Sequence, residues 1–184
     1  MLGLTAEQWE IVNGWANWLS AVGTISAVVF SLYLAAKNGR REAKLSAGVR
    51  LLAISGAENH PEMINFHLVN TGDKSFYITA IGWYFGRKRN RSHFMQLHDR
   101  TMSSALPVSV QPGEAAHWCF ETGTNDWFGK MAETLGPDWK SNLKSLRAIA
   151  STTTGEDYIC EPEQNLISKL TEACQQKDKR RRLG

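Results

Sequence analysis

The sequence predicts a mainly β protein carried behind one N-terminal membrane-spanning helix. Three observations predict it. Residues 11–36 hold no charged side chain, and a helix needs only about 20 apolar residues to cross the hydrocarbon core. Beyond residue 45, about seven short segments alternate apolar with polar, the period of half-buried strands. Clusters of Gly, Pro, Asn and Asp separate those segments and mark turns.

The helix comes first. Thr5 and Gln8 form a Thr-x-x-Gln pattern, which suits a helix start. Trp9, Trp15 and Trp18 lie near one end of the run and Tyr33 near the other, as amphipathic rings do at the two lipid–water interfaces. Asn13 and Asn17 place the first turns in the headgroup layer. The span is then residues 15–36, with residues 1–14 extracytoplasmic or interfacial. Glu7 and Glu10 precede the run and no Lys or Arg does, which disfavours a cleaved signal peptide. A buried helix is the alternative, but Val28, Val29, Phe30, Leu32 and Leu34 would then need cover on every face. Lys37, Arg40, Arg41 and Lys44 follow at once, in a basic juxtamembrane segment, residues 37–44. That excess predicts the N-terminus outside and the C-terminal domain in the cytoplasm, at the inner membrane. Cys119, Cys160 and Cys174 form no CxxC pair and are odd in number, so neither a disulfide framework nor a zinc site is expected. Free thiols suit a reducing compartment.

One stripe of the helix is small: Ala16, Ser20, Gly23, Ala27, Ser31 and Ala35. Small residues allow close approach of two membrane helices, so self-association is one reading. The other is that such residues are common in membrane helices.

Residues 45–174 read as one cytoplasmic domain. In 45–55 the residues Leu45, Ala47, Val49, Leu51 and Ala53 share a face, and in 63–70 Ile64, Phe66 and Leu68 do. Asn70-Thr71-Gly72-Asp73 is a turn cluster, and 76–85 is rich in aromatic and β-branched residues. A polar hairpin tip spans 87–91, and 93–97 returns. Residues 105–110 are a short strand, where Pro107 points to an edge. Gln111-Pro112-Gly113-Glu114 is a turn, and 115–121 is the next strand. Residues 145–153 and 156–160 flank Thr154-Gly155 as a final hairpin. Two stretches are helical: 126–135, where Trp127, Phe128, Met131 and Leu135 share a face, and 164–174. A basic disordered tail, 175–184, is expected to follow; its Lys177–Arg182 run could lie against anionic lipid or simply confer solubility. The pattern predicts an immunoglobulin-like antiparallel β-sandwich with a short helical insertion and a C-terminal helix; a small open barrel is the alternative.

The order of Trp18-Leu19-Ser20-Ala21-Val22-Gly23-Thr24, a basic exit, Val69-Asn70-Thr71-Gly72, Ile78-Thr79-Ala80-Ile81-Gly82-Trp83 and Val110-Gln111-Pro112-Gly113-Glu114 resembles a broad group of uncharacterised bacterial single-pass proteins with a small cytoplasmic β-domain. The resemblance covers most of the chain up to about residue 160. It implies a fold and no activity.

Chemistry is sparse. His117 and Cys119 sit two apart on an expected strand and could form a nucleophile pair, or be an inert thiol beside a histidine. His60, His67, His93 and His98 are scattered, and His93 and His98 could approach Asp99. Glu156-Asp157 and Glu161-Pro162-Glu163 read as solvated charges. Arg87, Lys88, Arg89 and Arg91 lie among Trp83, Tyr84, Phe85 and Phe94. That suits a small anionic ligand, or a solvated tip whose rings face the core. Trp127 and Trp139 are candidate interface anchors. A formal net charge of +3 is too small for a dedicated nucleic-acid binder. No cofactor is expected. The reading is therefore non-enzymatic: an interaction module tethered to the bilayer by its helix, with a protein partner or a second copy as its company. A ligand-sensing effector that oligomerises through its helix is the alternative, and a Cys/His enzyme the second alternative.

Overall fold

The computed structural model describes residues 6–37, 42–53, 60–86, 91–123 and 126–183. The chain divides into two compact units, Met1–Arg40 and Arg41–Gly184.

The first unit is one helix, α1 (Ala6–Lys37). Its Trp9–Ala35 stretch of 27 residues is long and apolar enough to cross a membrane, and none of it is buried. At 1.5 Å per residue it rises about 40 Å. Apolar side chains such as Trp18, Leu19, Ile25, Phe30 and Leu32 are exposed all round it, so α1 has no polar face to turn to water. Thr24 Oγ1 returns to Ser20 O at 2.9 Å, which satisfies the hydroxyl within the helix itself. Thr5 of the expected cap lies outside the described residues.

The second unit has two antiparallel sheets. The first orders β1 (Ala43–Leu51), β2 (Glu62–Asn70) and β6 (Ala115–Glu121) as β1-β2-β6. The second orders β4 (Ser92–Met95), β3 (Phe76–Phe85), β7 (Arg147–Thr152) and β8 (Asp157–Cys160) as β4-β3-β7-β8. β5 (Val108–Val110) also pairs with β3, at the other end from β4. The period-two alternation puts Ile64, Phe66 and Leu68 of β2 and Ala116, Trp118 and Phe120 of β6 on the inner face. Ile78, Ile81 and Trp83 of β3 and Ala148 and Ala150 of β7 meet them in one core. Phe66 and Trp83 touch edge to face, ring centroids 4.8 Å apart. Gly82 is demanded by packing: a Cβ there would run into the carbonyl oxygen of Phe94 on β4.

Three helices close the core. α2 (Trp127–Leu135) buries Met131, Ala132 and Leu135, and α3 (Trp139–Lys144) buries Trp139 and Leu143. α4 (Gln164–Leu183) buries Leu166, Leu170 and Cys174. Gln96 ties α2 to the sheet. Its Oε1 accepts from the indole N–H of Trp83 at 3.2 Å and of Trp127 at 3.0 Å.

The two turn motifs of the sequence meet. The buried Asn70 amide donates to Lys74 O and Val110 O, both at 2.9 Å, and its Oδ1 accepts from Gly72 N at 3.0 Å. Its backbone N–H donates to Glu114 O, and its carbonyl accepts from Gly113 N, both at 3.0 Å. Gly113 sits at φ +79, the left-handed position that a Pro-Gly turn requires.

Several expectations change. The strand expected over 45–55 ends at Leu51, whose side chain is 66% exposed, and residues 54–59 lie outside the described residues. α3 has no counterpart in the sequence reading. The tail expected to be disordered is helical, because α4 runs unbroken to Leu183. Trp139 Nε1 donates to Asp178 Oδ2 at 2.8 Å, and Lys177 pairs with Glu133 at 2.8 Å. Both hold the helix beyond its last apolar contact, and cations near a C-terminus favour the helix dipole.

Asn70→Ala should lower unfolding stability by about 2–4 kcal/mol, since it takes the amide donor away from the Lys74 and Val110 carbonyls. Asn70→Asp should do no better, because a carboxylate would face two carbonyl oxygens. Urea unfolding of the detergent-solubilised chain, followed by tryptophan emission, measures both; near-wild-type midpoints would remove Asn70 from this role.

Candidate functional site

Surfaces open to a partner are limited by how the first sheet ends. On the free side of β1, Glu163 N donates to Ala47 O at 2.8 Å. Asn165 then accepts from Val49 N at 3.2 Å and donates to Val49 O at 3.1 Å. Arg50 grips Glu163 with two bonds of 2.6 Å, and that pairing holds the Glu163 carboxyl below its usual range. On the free side of β6, Asp99 N reaches Cys119 O and Ser104 N reaches His117 O at 2.9 and 2.8 Å. Ser103 and Ser104 hydroxyls accept from Cys119 N and His117 N at 2.8 and 3.2 Å. An added strand would find these backbone groups taken.

The outer face of that sheet brings His67 of β2 opposite His117 of β6, and Asn65 opposite Cys119. A shallow cavity of about 320 Å³ beside them is lined by Leu51, Met63, Asn65, Met102, His117 and Cys119. Cys119 Sγ donates to Asn65 Oδ1 at 3.3 Å. Burial first, and then the charge of Asp99, pushes this thiol up. A raised thiol is the reverse of an activated nucleophile. His93 stacks on Tyr84 at 5.3 Å, and the Asp99 carboxylate is taken by Thr101 at 2.8 and 2.6 Å. Among the described residues no group of three or more His, Cys, Asp or Glu side chains could hold a metal ion.

Of the basic hairpin tip, Arg87, Lys88 and Arg89 lie outside the described residues. Arg91 places its guanidinium 4.8 Å from the Tyr84 ring centre. Trp83, Tyr84 and Phe85 are buried, so those rings belong to the fold and offer no platform for stacking. Trp127 and Trp139 are likewise engaged rather than presented. Trp127 packs against Trp83 and Phe120, both at 5.7 Å, and Trp139 is 7% exposed. Of the small stripe, Ala16, Ser20, Gly23, Ala27 and Ser31 all fall on α1 and are exposed.

A strongly charged concavity lies between α2 and α4, and the sequence reading missed it. This groove of about 710 Å³ is lined by Phe128, Lys130, Glu133, Lys177, Arg180 and Arg181, among others. Asp126 starts α2 at φ +43 and accepts from Gly129 N at 3.2 Å. Lys177 occupies Glu133 and holds that carboxyl below its usual range. Lys130, Arg180 and Arg181 have no salt-bridge partner among the described residues. Residues 173, 177, 180 and 181 recur at helical spacing. That signal was present in the sequence, but a helix had to be recognised beyond residue 174 to see it.

No protein-family model matches the chain, and no curated protein does. A solved structure described as "X-ray structure of Northeast Structural Genomics Consortium target SoR45" is similar at 11% identity, covering 66% of this chain and 79% of that one. Its TM-score of 0.27 is too low to carry an argument.

Burial pushes the Cys160 thiol up to about 11. In the folded chain, alkylation of Cys160 by iodoacetamide should therefore rise about tenfold per pH unit from pH 7 to 10. Peptide mass mapping reads the rate; a plateau by pH 9 would contradict the assigned burial.

Proposed function

We propose that the chain is a single-pass inner-membrane protein whose cytoplasmic domain, an immunoglobulin-like β-sandwich, serves as a non-enzymatic interaction module. The observation that carries this reading is α1. A helix of this length whose apolar side chains are exposed on every side is stable only where lipid or another protein covers it. The Arg41–Gly184 unit has its own core and needs nothing from α1 to complete it. Lys37, Arg40, Arg41 and Lys44 follow the helix and favour the cytoplasm for what comes next. Three free cysteines, two of them partly buried and one buried, are in keeping with a reducing compartment.

The sandwich reading is supported by the three- and five-stranded antiparallel sheets sharing one core. The interaction reading is supported by what the surface offers: ordered charged faces on α2 and α4, and thiols shifted away from reactivity. A protein partner or a second copy would meet a face of the domain rather than a free edge of the first sheet.

In bacterial cells, a C-terminal alkaline phosphatase fusion should be inactive and a green fluorescent protein fusion bright, with both chains retained in the membrane pellet after carbonate washing. An active phosphatase fusion would reverse the orientation, and release by carbonate would remove the anchor. Affinity capture of the tagged chain from detergent-solubilised membranes should recover a reproducible protein partner or a second copy; recovery of the chain alone as a monomer would count against the interaction module.

A further inference from the structure

We propose that the basic face shared by α2 and α4 docks on an anionic phospholipid surface. The inference rests on the membrane-anchored reading above. Lys177, Arg180 and Arg181 stand at i, i+3 and i+4 of α4, one side of the helix, and Lys130 of α2 lines the same groove. Four cations there face two carboxylates, Asp126 and Glu133, so the groove carries a net charge of +2. Both carboxylates have duties within the protein: Asp126 caps α2 and Glu133 holds Lys177. Lys130, Arg180 and Arg181 are left facing outward, and Lys179 on α4 is also exposed.

The form of the site favours a surface over an enclosed ligand. The groove is open and its cations are spread along two helices, so they act as a row of charges rather than a cradle of aimed donors. Anionic leaflets attract basic segments of this kind over about one Debye length. A domain carried behind a membrane helix meets headgroups at raised effective concentration, so a few cations suffice. The extension of α4 past its last apolar contact then has a use, because it keeps the cations ordered on one side.

The test uses the full chain in lipid nanodiscs of phosphatidylcholine alone or with about 30% phosphatidylglycerol. Trypsin cleavage after Lys177, which lines the groove, is followed by mass spectrometry. Docking predicts cleavage at least about tenfold slower in the anionic discs, with the difference lost in about 0.5 M NaCl. In the variant K130Q/R180Q/R181Q, which keeps Lys177, the two lipids should give equal rates. Equal wild-type rates in a chain that incorporates into both discs would overturn lipid docking and leave the anchor standing. A chain that incorporates into neither would overturn both. Protection by inorganic phosphate in the neutral discs, matching that of the anionic lipid, would assign the groove to a small soluble anion and overturn the lipid.

Discussion

The buried amide of Asn70 joins parts of the chain that lie far apart in sequence. Through side chain and backbone it touches the β2–β3 turn, the end of β5 and the turn that leads into β6. Glu42 O, at the entry to β1, accepts from Thr71 N and Gly72 N at 2.9 Å, so the beginning of the domain is tied to the same place. An apolar side chain could fill the volume but would take the amide donor away from two backbone carbonyls, Lys74 O and Val110 O. Two sheets pack with little directional preference, since apolar contacts are not directional. The Asn70 hub supplies the direction, and the register of β2 against both β1 and β6 follows from it.

From that end of the domain the first sheet runs out to sealed margins. Asn165 imitates a neighbouring strand for one residue of β1, and the serines 103 and 104 do the same for two residues of β6. Side chains do this work without extending the sheet. The polar backbone is satisfied while the faces, rather than the edges, remain open to other molecules.

Much of the fold was legible in the sequence, and the reasons differ by element. β3 was legible to its ends because Phe76–Phe85 concentrates β-branched and aromatic residues between turn clusters. The helix α1 was legible because residues 11–36 run without a charge or a proline. α3 was not, because Trp139–Lys144 is six residues long and has too few turns to display a period. The end of α4 was not, because what holds it is the pairing of Asp178 with Trp139 and of Lys177 with Glu133, contacts across 39 and 44 positions. Composition alone reads such a basic run as a disordered tail, against lipid or in solvent. The same long-range contacts explain Trp127 and Trp139. A tryptophan in a short amphipathic helix looks like an anchor for a partner until its own domain is seen to occupy it. The α2–α4 groove depends on α4 continuing past residue 174, so its cations stood in the sequence at helical spacing while the tail was read as disordered.

Gln96 has a consequence of its own. One amide oxygen serves two indoles, one in the second sheet and one in the inserted helix, while its nitrogen is spent on Leu97 O at 2.8 Å. The oxygen's two lone pairs are thereby both committed. Any displacement of α2, whether by a bound molecule or by a neighbour, must strip a partner from Trp127 or drag the strap between β4 and β5 along with it. Mechanical load on the insertion is thus relayed to the middle of the molecule, and the fluorescence of those two rings would register it.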